Sequence, residues 1–171
     1  MDPKIFSYSE EWKNLLATAL SYQNQKKIYF NVKDNQKIYD IKHALVDRDL
    51  TYYALQVLET MPEEIAMSLL DELVHVVLHG NISDASTATK IISNLKTKMI
   101  RLDIVKILDQ HVVEGAKDIY VIKDIALLLY TLRYKRELLE FVDTHFEALK
   151  RAEFIESEED LEELHNLEEL A

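Results

Sequence analysis

The sequence has no cysteine, only two glycines (Gly80 and Gly115) and only two prolines (Pro3 and Pro62) in 171 residues. Without cysteine there is no disulfide framework, no thiolate metal cage and no cysteine nucleophile. Two isolated glycines cannot build a phosphate-cradling loop, which needs several close together so that backbone amides approach the ligand at dihedrals other residues avoid. The same scarcity argues against tight-turned all-β folds, whose hairpins draw on Gly, Asn and Pro at frequent intervals. The Gly-x-Ser-x-Gly nucleophile elbow is also missing. No window reaches the ~18 uncharged apolar residues of a membrane span. The stretch after Met1 has neither an apolar signal-type run nor an Arg-rich amphipathic presequence, so the expected location is cytoplasmic.

The sequence does have apolar residues at helical spacing almost throughout. They make up 48% of the chain, and a chain of this size buries roughly 70% of the surface its unfolded form exposes. The pattern repeats from residue 49 onward. Segments 49–61 and 63–79 are broken at Pro62 and closed by Gly80; 85–96 and 99–113 follow, closed by Gly115; 118–133 and 136–150 come last. Val57, Leu58 and Met61 match Ile91, Ile92 and Leu95 at a shift of 34, and these match Leu128, Leu129 and Leu132 at 37. The second helices match likewise through Leu69, Leu73 and Val77, then Ile104, Leu108 and Val112, then Leu138, Val142 and Phe146.

The spacing predicts an all-α fold: a short α-solenoid of three helical hairpins over 49–150, in which neighbours stack to bury a continuous core. Residues 1–48 form an N-terminal cap. Within it, 7–23 read as a helix with Ser7 and Glu10 at capping-box spacing and an apolar stripe of Trp12, Leu15, Leu16, Ala19 and Leu20. The alternation of Ile28, Phe30 and Val32 predicts an extended stretch before a helix at about 36–46. Residues 151–171 read as an acidic amphipathic helix with Leu161, Leu164, Leu167 and Leu170 three apart.

The charge, −11 in total, is distributed unevenly: +2 over residues 1–48, −7 over 49–89, +3 over 90–151 and −9 over 152–171. At 100° per residue, the faces opposite the predicted core carry Glu64, Asp71 and Glu72, with His75 and His79, on 63–79. The corresponding faces carry Asp103 and Asp109 on 99–113, and Glu137, Glu140, Asp143 and Glu147 on 136–150. If the second helices line one surface, these nine carboxylates form an acidic groove suited to a basic protein partner. The same field repels a phosphate backbone, so nucleic acid is not the expected ligand. The basic residues Lys90, Lys96, Lys98 and Arg101 are the exception.

Chemistry-bearing constellations are sparse. His75 and His79 lie one turn apart with Glu72 on the same predicted face, a spacing that suits a divalent ion. His75-Val-Val-Val-His79, however, lacks the internal general-base Glu of zinc hydrolases, and nothing in the sequence forces a further ligand into range. No metal and no cofactor is expected. His111 and His145 occupy matching positions of successive repeats and read as packing histidines. Adjacent carboxylates such as Glu63–Glu64 and Asp71–Glu72 diverge by 100° and make poor acid–base couples, so the chain reads as a binding protein and not an enzyme. Of nine tyrosines, Tyr130 is expected in the helical core, whereas at least one of Tyr52 and Tyr53 should be exposed.

The units Leu69-Leu70-x-x-Leu73-Val74, ending His79-Gly80-Asn81 before a new helix near Asp84, resemble HEAT-type repeats. Asp118-x-x-Val121 follows the family's repeat start, with Ile122 where the family has Arg. Over residues 49–150 the arrangement is similar to the small HEAT-like immunity proteins that bacteria encode beside polymorphic or contact-dependent toxins. The resemblance implies a cytoplasmic antidote that binds a cognate toxin domain, often a basic nuclease, and occludes its active site or substrate groove. The residues expected to contact such a partner are Glu64, Asp71, Glu72, Asp103, Asp109, Glu140, Asp143 and Glu147, with His75 and His79 at the edge. The alternative is a general HEAT-like adaptor for basic cellular partners.

Overall fold

The computed structural model describes residues 8–95, 100–115 and 118–154, with backbone alone for 100–102 and 113–115. Among these residues the protein is all-α, with nine helices and no strand. The cap residue Ser7, the basic residues Lys96 and Lys98, and the acidic segment from Glu158 lie outside them, as does the side chain of Arg101.

Helix α1 (Glu10–Phe30) starts at Ser9, whose hydroxyl accepts from the Trp12 amide at 3.2 Å. Glu10 and Glu11 in the first turn and Lys27 in the last complement the helix dipole. The predicted extended stretch is absent: α1 runs on through Phe30. Once a capped helix is propagating, each further residue adds a hydrogen bond at little cost, which outweighs a three-residue alternation. The end is held by the Asn31 side-chain amide donating to the Lys27 carbonyl at 3.1 Å. The Tyr29 hydroxyl reaches Asp40 at 3.4 Å; burial and the Asp40 charge raise this phenol to about 12. No residue of α1 is buried. The stripe expected to cap the repeats, Trp12, Leu15, Leu16 and Leu20, stands 42–66% exposed.

Helix α2 (Asp34–Val46) buries Lys37, Ile41 and Leu45, one turn apart. Helix α3 (Thr51–Leu58) follows a turn in which the Thr51 hydroxyl donates to the Leu45 and Asp47 carbonyls at 3.1 and 2.8 Å. The segment expected as one helix from 63 to 79 is two, α4 (Glu63–Met67) and α5 (Leu70–His79). Between them the Ser68 hydroxyl donates back to the Glu64 carbonyl at 2.8 Å, and both short helices pack against α2.

Gly80 ends α5 for a steric reason. Its backbone is extended (φ −77°, ψ 176°), so no left-handed residue is needed there. A Cβ at this position would sit 2.4 Å from the Val76 carbonyl oxygen. Gly80→Ala is therefore expected to lower stability by about 1–3 kcal/mol, the usual cost of forcing an atom into a closed site, as read from chemical denaturation. Helix α6 (Ile82–Asn94) begins directly after this turn. Asn81 caps it by accepting from the Asp84 amide at 3.0 Å while donating to the buried Asp84 carboxylate at 2.6 Å.

Helices α7 (Ile100–Gly115), α8 (Ile119–Thr131) and α9 (Lys135–Arg151) complete the described chain. Asp118 caps α8 through the Tyr120 amide at 2.9 Å. The Lys123 ammonium ties the end of α9 to α8 through the Ala152 carbonyl at 2.8 Å. The closest packing is α5 on α6 across the Gly80 turn, and α8 on α9. The first helices of the expected units touch in succession, α3 on α6 and α6 on α8, while α5 also packs on α2, α7 and α8. One core, centred on Leu55, Leu69, Leu73, Val74, Ile104, Ile125 and Val142, runs through these contacts. Tyr130, expected in that core, is exposed, and so are both Tyr52 and Tyr53. None of the described helices is long and apolar enough to cross a membrane.

Candidate functional site

Surrounded by α2, α6, α7 and α8, helix α5 buries Leu70, Glu72, Leu73, Val74, Val76, Val77 and Leu78. A helix apolar nearly all round belongs in the interior. Its exposed residues are Asp71, His75 and His79, each four after the last, so one narrow polar strip reaches the surface. Beside that strip, α7 brings in the half-buried His111. The ring centroids are 4.6 Å apart for His75–His79, 6.0 Å for His75–His111 and 5.8 Å for His79–His111. One imidazole nitrogen from each of the three lies within 4.8 Å of the others.

This arrangement departs from the expectation at Glu72. Glu72, assigned to the solvent face and to the side of the two histidines, is buried and ion-paired with Lys42 of α2. A single helix over 63–79 would have one core face, whereas the break before Leu70 and the packing of α2 against α4 and α5 cover the side where Glu72 projects. Its hydrogen bond, then its charge and that of Asp71, hold the Lys42 ammonium above its ordinary range. His111, half-buried as a packing histidine would be, also joins the histidine group. Only the packing of α7 on α5 reveals this.

A second feature lies on the other side of α7. Asp109 from α7 and Glu137 and Glu140 from α9 line a cleft of about 240 Å³, floored by Val105, Leu108, Val112, Ile125 and Leu129. Phe141 and His145 close its α9 wall with ring centroids 4.5 Å apart. The backbone of α9 leaves helical geometry at His145 (φ −116°, ψ 20°). Burial lowers the His145 pKa, which favours the uncharged ring. Arg136 bridges to Glu140 at 3.0 Å, with side chains 79% and 64% exposed; an ion pair so solvated contributes little and opens readily.

Of the carboxylates expected on one wall, the structure thus gathers Asp109, Glu137 and Glu140. Asp143 and Glu147 are exposed further along α9, and Asp103 is half-buried near the start of α7. Glu64 is exposed on the short α4. Asp71 belongs to the α5 strip, and Glu72 to the α2 contact. Roomier hollows lie elsewhere. One of about 520 Å³ at the α8–α9 turn is lined by Tyr130, Tyr134, Arg133 and Lys135. One of about 600 Å³ between α6 and α8 holds Lys90 and Asp124, whose carboxyl is raised by burial. Each lacks the like-charged convergence of the α7–α9 cleft. No family model, no curated protein and no solved structure matches this chain.

Proposed function

We propose that the chain is a non-enzymatic binding protein that seats a cationic protein domain on the α7–α9 cleft and neutralises it by occlusion. The supporting observation is the convergence of Asp109, Glu137 and Glu140 from two helices over an apolar floor. Protein interfaces place apolar contact at the centre and charge at the rim, and this cleft has that layout. Carboxylates of one sign in a concavity raise the local concentration of a positively charged partner and speed its docking. A cleft of this size is only the centre of a stable contact, which needs ~1,200–2,000 Å² in total. Asp143 and Glu147 on the exposed side of α9 extend the acidic surface outward from it.

A domain that handles nucleic acid presents a cationic face to phosphates, and that face is what an acidic cleft fits. The resemblance to HEAT-like immunity proteins leads to the same partner, a basic toxin domain of the nuclease kind. The test is direct association of the purified chain with the basic C-terminal domain of the protein encoded by the neighbouring reading frame. The expected result is a one-to-one complex that weakens steeply as salt rises, with loss of the domain's activity. A salt-insensitive complex, or none, contradicts the proposal; an adjacent gene for a cellular component favours an adaptor.

A further inference from the structure

The geometry points to a second site, independent of the acidic cleft: we propose that His75, His79 and His111 bind one divalent transition-metal ion, zinc being the ion they fit best. His75 and His79 stand one turn apart on the exposed strip of α5, and His111 reaches them from α7. The donor atoms are all imidazole nitrogens, which suit zinc, copper, nickel or cobalt and not the oxygen-seeking magnesium or calcium. In a tetrahedral zinc site each nitrogen is about 2.0–2.1 Å from the metal, which places two such nitrogens about 3.4 Å apart. The three nitrogens already lie within 4.8 Å of one another. Rotation of the exposed rings of His75 and His79 about their side-chain bonds covers the remaining ångström or so.

The scaffold holds the ligands in register. Leu73, Val74, Val76 and Val77 alternate with the two α5 histidines in sequence and are buried, and Ile104 and Leu108 anchor α7 in the same core. The backbone positions of all three ligands are therefore fixed by packing before any ion arrives. One cation placed between the three rings engages a nitrogen of each. With three protein ligands, a tetrahedral ion keeps its fourth position open. Because His75 and His79 are exposed, that position faces solvent and takes a water or a donor from a bound molecule. His111 does not line the acidic cleft, and Asp109, two residues earlier on α7, projects about 160° from it.

Isothermal titration of the full chain, freed of metal by chelator dialysis, with zinc chloride tests the assignment. The expected result is one ion per chain with Kd on the order of 1 µM or tighter, and no heat with magnesium chloride. Cobalt in place of zinc should give the visible absorption of a tetrahedral centre. His75→Gln and His111→Gln should each weaken zinc binding on the order of tenfold or more, whereas His43→Gln, on the outer side of α2 against Tyr39, should not. Zinc should also raise the Tm of the parent chain and not that of His111→Gln, because only the inter-helix ligand set clips α7 to α5. The exposed His75 cannot be confused with a folding defect. Full affinity in His75→Gln or His111→Gln, or no zinc binding by the parent chain, overturns the proposal.

Discussion

The double charge reversal Asp109→Lys/Glu140→Lys is expected to slow association with the cationic domain on the order of tenfold or more at low ionic strength. Two negative charges in one cleft become two positive ones, so both the long-range attraction and the rim contacts change sign. Both side chains are exposed, and the one ion pair lost, Arg136–Glu140, is a solvated i,i+4 bridge of little worth. Thermal stability should therefore stay nearly constant, which separates a binding defect from an unfolding one. The effect should shrink as salt rises past the point where the Debye length, about 8 Å at physiological ionic strength, falls below the range of steering. Stopped-flow association at several salt concentrations measures this. An unchanged rate at low salt contradicts the role given to these two residues.

Leu73→Ala should cost about 2–5 kcal/mol, the range for deleting a fully buried leucine whose surroundings relax only in part. Leu73 has no exposed surface and lies in α5, on which four other helices pack, so a cavity there loosens α2, α6, α7 and α8 together. Typical domains are stable by only about 5–15 kcal/mol, so this one change removes a large share. For a chain of 171 residues, each kcal/mol corresponds to a fall of about 2–4 °C in Tm. Leu16→Ala on α1, where the side chain is 42% exposed, should cost less than about 0.5 kcal/mol. Equal losses from the two substitutions, measured by urea titration, would contradict the central place of α5.

The all-α class and most helix limits were legible because they depend on local chemistry. Gly80 and Asn81 mark a stop and a start within two residues, and Pro62 directly precedes α4. The spacing of Ile38, Ile41 and Leu45 located α2. The break at Ser68–Leu69 was not legible: neither residue is a helix breaker by type, and the turn there is set by tertiary packing of α2 on α4 and α5. One further signal does lie in the sequence. The run Leu69-Leu70-x-x-Leu73-Val74-x-Val76-Val77-Leu78 is apolar on nearly every side, as only a central helix can afford. Reading it so would have placed Glu72 inside and required it to find a cation.

The parts of the candidate sites that join distant segments stayed out of reach of a single sequence. Lys42 meets Glu72 and His111 meets His75 only because helices separated by some thirty residues pack side by side. Periodicity marks an apolar stripe on α1 without saying what covers it, and the structure leaves Trp12, Leu15 and Leu20 exposed. The nine-carboxylate wall followed from assuming that second helices share one surface. Asp109, Glu137 and Glu140 do line one cleft, because α7 and α9 flank the same groove over α8.

Backbone hydrogen–deuterium exchange of the chain, alone and saturated with its basic partner domain, examines the binding proposal most directly. Slowed exchange over residues 105–112 and 137–145, on the two walls of the cleft, is the result that this account predicts. Protection confined to other helices, with those two segments unchanged in the complex, would contradict it.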